Sequence, residues 1–297
     1  MMPHITICIC TYCRPDMLER LLREIGRQET ANAFTFSVVV TDNDANKSAQ
    51  PVVTKMRESS SFEIVYNVAP ERNIAIARNT CVAAAKGDYL AFIDDDEFPV
   101  TDWLLNHFRT CEAHPVAGVL GPVKPHFDVT PPKWVVKGEF YVRPGHPTGF
   151  VMPWAECRTG NVLLKRSVID SSEPPFRAEF GAGGEDQDFF QRMIGKGHIF
   201  IWCDEAVAYE TVPPSRWDRG FLIHRALLRG RNTFRHRKNR VRNLLKSAIA
   251  VPLYALALPI LLIVGHHYFM KYLVKLADHV GRVLTLLRLN PVAERRM

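Results

Sequence analysis

The chain has 297 residues, 47% hydrophobic and 23% charged, proportions of an ordinary globular protein with one substantial core or two small ones, and a formal net charge of +7. The densest basic run, residues 229–242, immediately precedes the most apolar stretch, which assigns the positive charge to an anionic membrane surface rather than to nucleic acid. Seven scattered cysteines and no leading signal peptide fit a reducing cytosol and exclude a disulfide framework. Cys8, Cys10 and Cys13 lack a second zinc-type pair and read as thiols rather than ligands.

In chain order, residues 4–10 read as a strand, Pro15 opens a helix carrying Met17, Leu18, Leu21, Leu22 and Ile25, and residues 36–40 form a second strand. A polar helix follows, then a short strand near residues 62–66, a helix over about 72–85, and an apolar strand at 89–93. This alternation predicts an α/β fold, a mostly parallel Rossmann-like sheet with helices on both faces. No Gly-x-Gly-x-x-Gly opens a helix and no glycine-lysine phosphate loop is present, which argues against dinucleotides and P-loop chemistry. Residues 122–175 lose the periodicity and carry Phe127, Trp134, Phe140, Tyr141, Phe150 and Trp154, which anchor loops or stack on a sugar.

Asp94, Asp95, Asp96 and Glu97 stand at the end of the 89–93 strand, where an open α/β sheet places its ligand. Crowded carboxylates need a compensating cation, which points to a divalent metal carrying a phosphorylated ligand. The alternative is a solvated acidic turn capping the next helix through Thr101 and Asp102. A second acidic group, Glu185, Asp186 and Asp188, follows a glycine-rich segment into a helix. Helical spacing places Asp186 with Phe189, Phe190 and Met193 on the inward face and Asp188 elsewhere, suiting Asp186 to general-base work. Glu185 and Asp188 then favour the helix N-terminus, a role open to all three acids.

With Thr11-Tyr12-x-Arg14, Val38-Val-Val-Thr-Asp42-Asn-Asp44, Arg72-Asn73-x-x-x-Ala77-Arg78-Asn79, Phe92-Ile-Asp94-Asp-Asp96 and Gly184-Glu185-Asp186-x-Asp188 in this order, residues 5–229 resemble a family 2 glycosyltransferase. Within it, the chain is similar to bacterial exopolysaccharide enzymes of the succinoglycan type. The resemblance implies the GT-A nucleotide-sugar-binding fold and an inverting hexosyltransferase. Donor contacts would come from Thr11, Tyr12, Arg14, Asp42, Arg78, Asp94 and Asp95, with Asp42 on a uracil ring. Asp96 and Asp94 would hold Mg²⁺ or Mn²⁺, and Asp186 would be the base. Glu185, Trp154, Asn161, Arg225 and Arg229 are candidate acceptor or diphosphate contacts, the two arginines alternatively facing lipid headgroups. The Gln-x-x-Arg-Trp motif of processive relatives is absent, which argues against polymerisation.

Residues 248–264 are apolar, uncharged and interrupted by Pro252 and Pro259, reading as a re-entrant or shallow membrane segment more than a full span. After them an apolar stripe through Phe269, Tyr272, Leu273, Leu276 and Val280 reads as an interfacial amphipathic helix or as a helix docked on protein. The expected organisation is a GT-A domain over 1–230, donor-binding to 121 and acceptor-binding from 122, and a membrane-associated helical tail over 231–297. The expected activity moves a sugar from a nucleoside diphosphate donor, a UDP-sugar in the first instance, to a lipid-linked or polysaccharide acceptor at the cytoplasmic face of the inner membrane. A nucleotidyltransferase of similar sheet and a non-catalytic membrane-associated nucleotide-sugar-binding protein are the rivals.

Overall fold

A computed structural model describes residues 2–169, 173–181, 183–235, 240–287 and 289. Residues 236–239 of the basic run and Ala182 of the glycine segment lie outside the described residues. The elements are β1 (His4–Thr11), α1 (Pro15–Ile25), β2 (Thr35–Asp42), α2 (Gln50–Ser59), β3 (Ile64–Val68), α3 (Ile74–Ala84), β4 (Tyr89–Ile93) and β5 (Glu97–Pro99). There follow α4 (Trp103–Ala113), β6 (Gly118–Leu120), β7 (Val123–His126), α5 (Lys133–Gly138), β8 (Asn161–Lys165), α6 (Glu185–Gly195), β9 (Phe200–Trp202) and β10 (Ala208–Thr211). Three helices complete the chain, α7 (Arg219–Arg235), α8 (Arg240–Val264) and α9 (His266–Leu286).

The described residues cluster into two compact units, one within Met1–His126 and Arg143–Thr211, the other within Phe127–Val142 and Val212–Met297. In the first, seven strands run in the order β3-β2-β1-β4-β8-β6-β9, all pairs parallel except those of β8 with β4 and β6. Strand alternation sorts the core between the two faces. Ile5, Ile7 and Ile9 pack with Leu18, Leu21 and Leu22 of α1 and Trp103 of α4, whereas Cys8 and Val39 pack with Ala75 and Cys81 of α3 and Phe189 and Phe190 of α6. Burial on both faces explains why these strands read as apolar runs without polar alternation. The order reverses between β1 and β4, so their carboxyl ends form the crevice in which such sheets place ligands. A smaller sheet, β5-β10-β7, begins where β4 ends, with Glu97 already in β5.

In the second unit, Val135, Tyr141, Val212 and Leu222 form a small core joined by Phe127, Trp134 and Phe140. These aromatics therefore anchor protein. Helix α9 packs against α5, α7 and α8, burying Met270, Ala277, Asp278 and Gly281. Its stripe is half-buried against protein, which favours the docked-helix reading. Gly230 and Gly281 let α7 and α9 meet backbone to backbone: an added Cβ would strike Asp278 O or Leu227 O. Helix α8 is longer than the apolar run suggested, and Arg242–Val264, 23 residues with few of them buried, is long and apolar enough to cross a membrane.

Candidate active site

Thr11 and Arg14 leave β1 at the crevice and turn onto the acidic cluster. Thr11 Oγ1 donates to Asp95 Oδ2 at 2.9 Å, and Arg14 Nη1 bridges Asp95 Oδ1 at 2.9 Å and Asp96 Oδ2 at 3.2 Å. Tyr12 lies beneath the Arg72 guanidinium, 4.7 Å from its ring centre. Asp95 is thus turned inward, its side chain 6% exposed, and Asp94 is left 45% exposed at the mouth of the crevice. Burial, with the adjacent Asp96 and Asp94 adding to it, pushes the Asp95 carboxyl up to about 6 against the pull of Arg14. Glu97 is pushed well above the usual carboxylate range by burial and then by Asp94 and Asp96.

Four carboxylates set against the guanidiniums of Arg14 and Arg78 leave an excess of negative charge, which fits a hard divalent cation such as Mg²⁺ or Mn²⁺. Among the described residues no group of three or more His, Cys, Asp and Glu converges on a point. The residues that could hold such an ion are Asp94 and Asp96, two carboxylates, which would leave the rest of its shell to other ligands.

Helix α3 links this cluster to the second acidic group. Asn73 caps it, its Oδ1 accepting from Ala75 N at 3.0 Å and Ile76 N at 3.2 Å, while its Nδ2 donates to Ala178 O at 2.9 Å. Asn79 exchanges hydrogen bonds with the backbone of Phe176, at 2.7 and 3.0 Å. Together they fasten the segment leading into α6. Between them Arg78, 9% exposed, reaches both acidic corners: Nη2 lies 3.2 Å from Asp94 Oδ1 and Nη1 pairs with Glu185. Gly183 and Gly184 take φ of 118° and 100° before α6, angles strained for any residue with a Cβ.

The expectation from helical spacing that Asp186 faces inward and Asp188 elsewhere requires correction. The structure leaves the Glu185 and Asp188 side chains 6% and 11% exposed, and Asp186 is the most accessible of the three at 18%. Apolar spacing alone missed the arginines that hold these acids: Arg78 of α3 holds Glu185, while Asp188 is held by Arg192 one turn on in α6, Nε at 2.8 Å, and by Arg177 at 3.6 Å. Burial pushes the Glu185 carboxyl up and Arg78 draws it down, and its Oε2 is buried without a hydrogen-bond partner. Arg158, 3.9 Å from Asp186 Oδ2 through Nε, was missed by the sequence reading; it stands in a loop remote in sequence with no motif around it.

Two further expectations meet different surroundings. Asp42 is 0% exposed, and its carboxylate accepts from Asp44 N at 3.1 Å, Ala49 N at 2.8 Å and the Tyr66 hydroxyl at 3.0 Å, so it ties down the loop after β2 instead of presenting a free oxygen to a base. Asn161, 2% exposed, has all four amide positions engaged. Its Oδ1 accepts from Trp103 Nε1 and His107 Nε2, both at 2.7 Å, and its Nδ2 donates to Pro122 O and Ala206 O at 3.0 and 2.8 Å. That is a structural pin, not an acceptor contact. Trp154 is half-buried against the core. Arg225 and Arg229 lie on α7 in the second unit, where Arg229 Nε donates to Asp278 at 2.9 Å.

The family model described as glycosyl transferase family 2 matches residues 6–168. The succinoglycan biosynthesis protein ExoM of Rhizobium meliloti (strain 1021) is 38% identical over 231 residues, 76% of this chain and 73% of that protein. The chain is a family 2 glycosyltransferase. Its fold is GT-A, and the mannosyltransferase PcManGT of Pyrobaculum calidifontis, solved with GDP-Man and Mn²⁺, superposes with a TM-score of 0.62 at 20% identity over 96% of this chain and 88% of that one. The Escherichia coli protein WfaP, named a UDP-Glc:alpha-D-GlcNAc-diphosphoundecaprenol beta-1,3-glucosyltransferase, is 22% identical over 65% of this chain and 71% of its own length.

Proposed function

We propose that this glycosyltransferase transfers one hexosyl residue, with inversion, from a UDP-sugar to a lipid-linked or polysaccharide acceptor in exopolysaccharide biosynthesis. The observation that carries the reading is Arg78, whose pairing with both Asp94 and Glu185 brings a donor-side acidic corner and a base-bearing helix to one place. The name of the Rhizobium relative supports the pathway, and that of the Escherichia coli relative supports a UDP-linked donor and a lipid diphosphate acceptor.

Thr11 and Arg14 order Asp95 and Asp96, and Asp94 and Asp96 would hold the cation on the diphosphate side of the donor. When bound, Mg²⁺ or Mn²⁺ supplies Lewis-acid stabilisation to the departing diphosphate. Asp186 takes the proton of the acceptor hydroxyl. The new C1–O bond forms as the bond from C1 to the diphosphate breaks, and UDP leaves with the electron pair. One displacement inverts the anomeric centre without a second carboxylate as nucleophile. Residues 1–121 serve the donor and 122–230 the acceptor. The apolar α8 and the basic run before it hold the enzyme to the cytoplasmic membrane face.

Asp186→Asn is expected to lower transfer by roughly 10²–10⁴-fold while calorimetry still records UDP binding. Loss of UDP binding as well would show that the residue supports the donor and is not the base. Release of pyrophosphate in place of UDP would make the enzyme a nucleotidyltransferase.

A further inference from the structure

The first unit contains a cavity of about 170 Å³ whose walls include Arg143, Met152, Ala155, Glu156, Arg158 and Trp202. It adjoins the active site on two sides. Arg158 forms part of the wall and places Nε 3.9 Å from Asp186 Oδ2. Asn161, also in the wall, follows Gly160, whose missing Cβ leaves room for Glu97 Oε1 and Asp94 Oδ2, 2.8 and 3.1 Å from where that atom would stand.

The lining is divided by chemistry. Met152 and Trp202, 3% and 6% exposed, give an apolar floor, and the charged side chains stand at the rim. The rim is held in place from outside. Glu156 pairs with His146 Nε2 at 2.8 Å, and that imidazole is stacked 4.1 Å from Phe150. Arg143 is bound to Glu210, and Arg158 Nη1 donates to Ala155 O at 3.0 Å. A pre-formed site with an apolar floor and a few fixed polar groups matches a pyranose, which has one CH face and an edge of hydroxyls.

We propose that this cavity seats the terminal pyranose of the acceptor, its CH face on Met152 and Trp202 and its hydroxyl edge on Glu156 and Arg158, with one hydroxyl directed to Asp186. The inference rests on the transfer reaction proposed above. It adds that the acceptor is recognised through one sugar ring, whatever lipid or glycan lies behind it, and that Arg158 joins ring recognition to the base.

The test uses the full-length enzyme in detergent with a panel of UDP-sugars and p-nitrophenyl pyranosides, recording glycoside-dependent UDP release, glycoside KM and UDP affinity. Ala155→Trp puts bulk at an exposed rim position and should abolish glycoside-dependent release. Glu156→Gln should raise the glycoside KM by about tenfold with kcat much less affected, and both variants should keep UDP affinity within about twofold of the parent. Unchanged glycoside kinetics in both variants would overturn the assignment, as would a wild-type enzyme that releases UDP but is stimulated by no pyranoside in the panel. A wild-type enzyme that cleaves no UDP-sugar at all would instead defeat the reaction on which the assignment rests.

Discussion

Arg78 is the residue on which the two acidic corners converge, and its removal has a definite cost. With the guanidinium gone, Glu185 is left buried at 5% exposure beside Asp186. Breaking a buried pair from one side costs about 3–5 kcal/mol, so Arg78→Ala should lower unfolding stability by that order in urea titrations, and Arg78→Ala with Glu185→Ala should recover part of it. His107 gives a second expectation. Burial holds its imidazole down to about 4 from the ordinary 6.5, and because Asn161 Oδ1 only accepts, Nε2 carries the proton and Nδ1 stays bare. The native protein keeps this ring neutral, so stability is full above pH 6.5. As pH falls below 6.5 the unfolded chain takes up a proton that the folded chain refuses, until about pH 4. The loss over that window is roughly 3 kcal/mol, and His107→Gln should flatten that part of a stability-pH curve measured by denaturant unfolding. An equal slope in parent and variant would exclude His107 as its source.

At the scale of elements, the parts legible in the sequence were those set by local pattern. The alternation of β1 to β4 with α1 to α3 follows from apolar runs and proline or asparagine starts, and the position of Asp94–Glu97 follows from its place after β4. What could not be read was pairing across distance. The burial of Glu185 depends on Arg78, that of Asp188 on Arg177 besides its helical neighbour Arg192, and the engagement of Asp42 on Tyr66; of these partners only Arg192, four residues on in the same helix, is marked by spacing. Helix–helix approach was equally hidden, since Gly230 and Gly281 look unremarkable in helical sequence yet permit direct contact of α7 with α9. Gly281→Val should therefore push the helices apart and loosen Asp278 from Arg229 and Arg282. A destabilisation of about 1–3 kcal/mol is expected, visible as a lower Tm in detergent, whereas Thr285→Val one turn on should leave Tm nearly unchanged.

For the molecule as a whole, the basic run and α8 act in the same direction. Leu253, Leu256, Ile260 and Ile263 are 59%, 75%, 65% and 88% exposed, a concentration of apolar surface that water does not favour. Each such side chain is worth about 1.5–3 kcal/mol when removed from water, so replacing all four by serine should shift the enzyme from pelleted anionic vesicles to the supernatant. Replacing basic residues of the 229–242 run should instead weaken binding at low salt and leave the remainder less sensitive to salt.

The shared guanidinium of Arg78 also has an evolutionary consequence. Arg78, lost alone, strands the Glu185 charge in the protein interior, whereas the loss of Glu185 leaves Arg78 its pair with Asp94. In homologous chains a change at Arg78 is therefore expected to bring a change at Glu185, and the spacing between them, 107 residues, makes that one-way dependence a stringent signature of this arrangement.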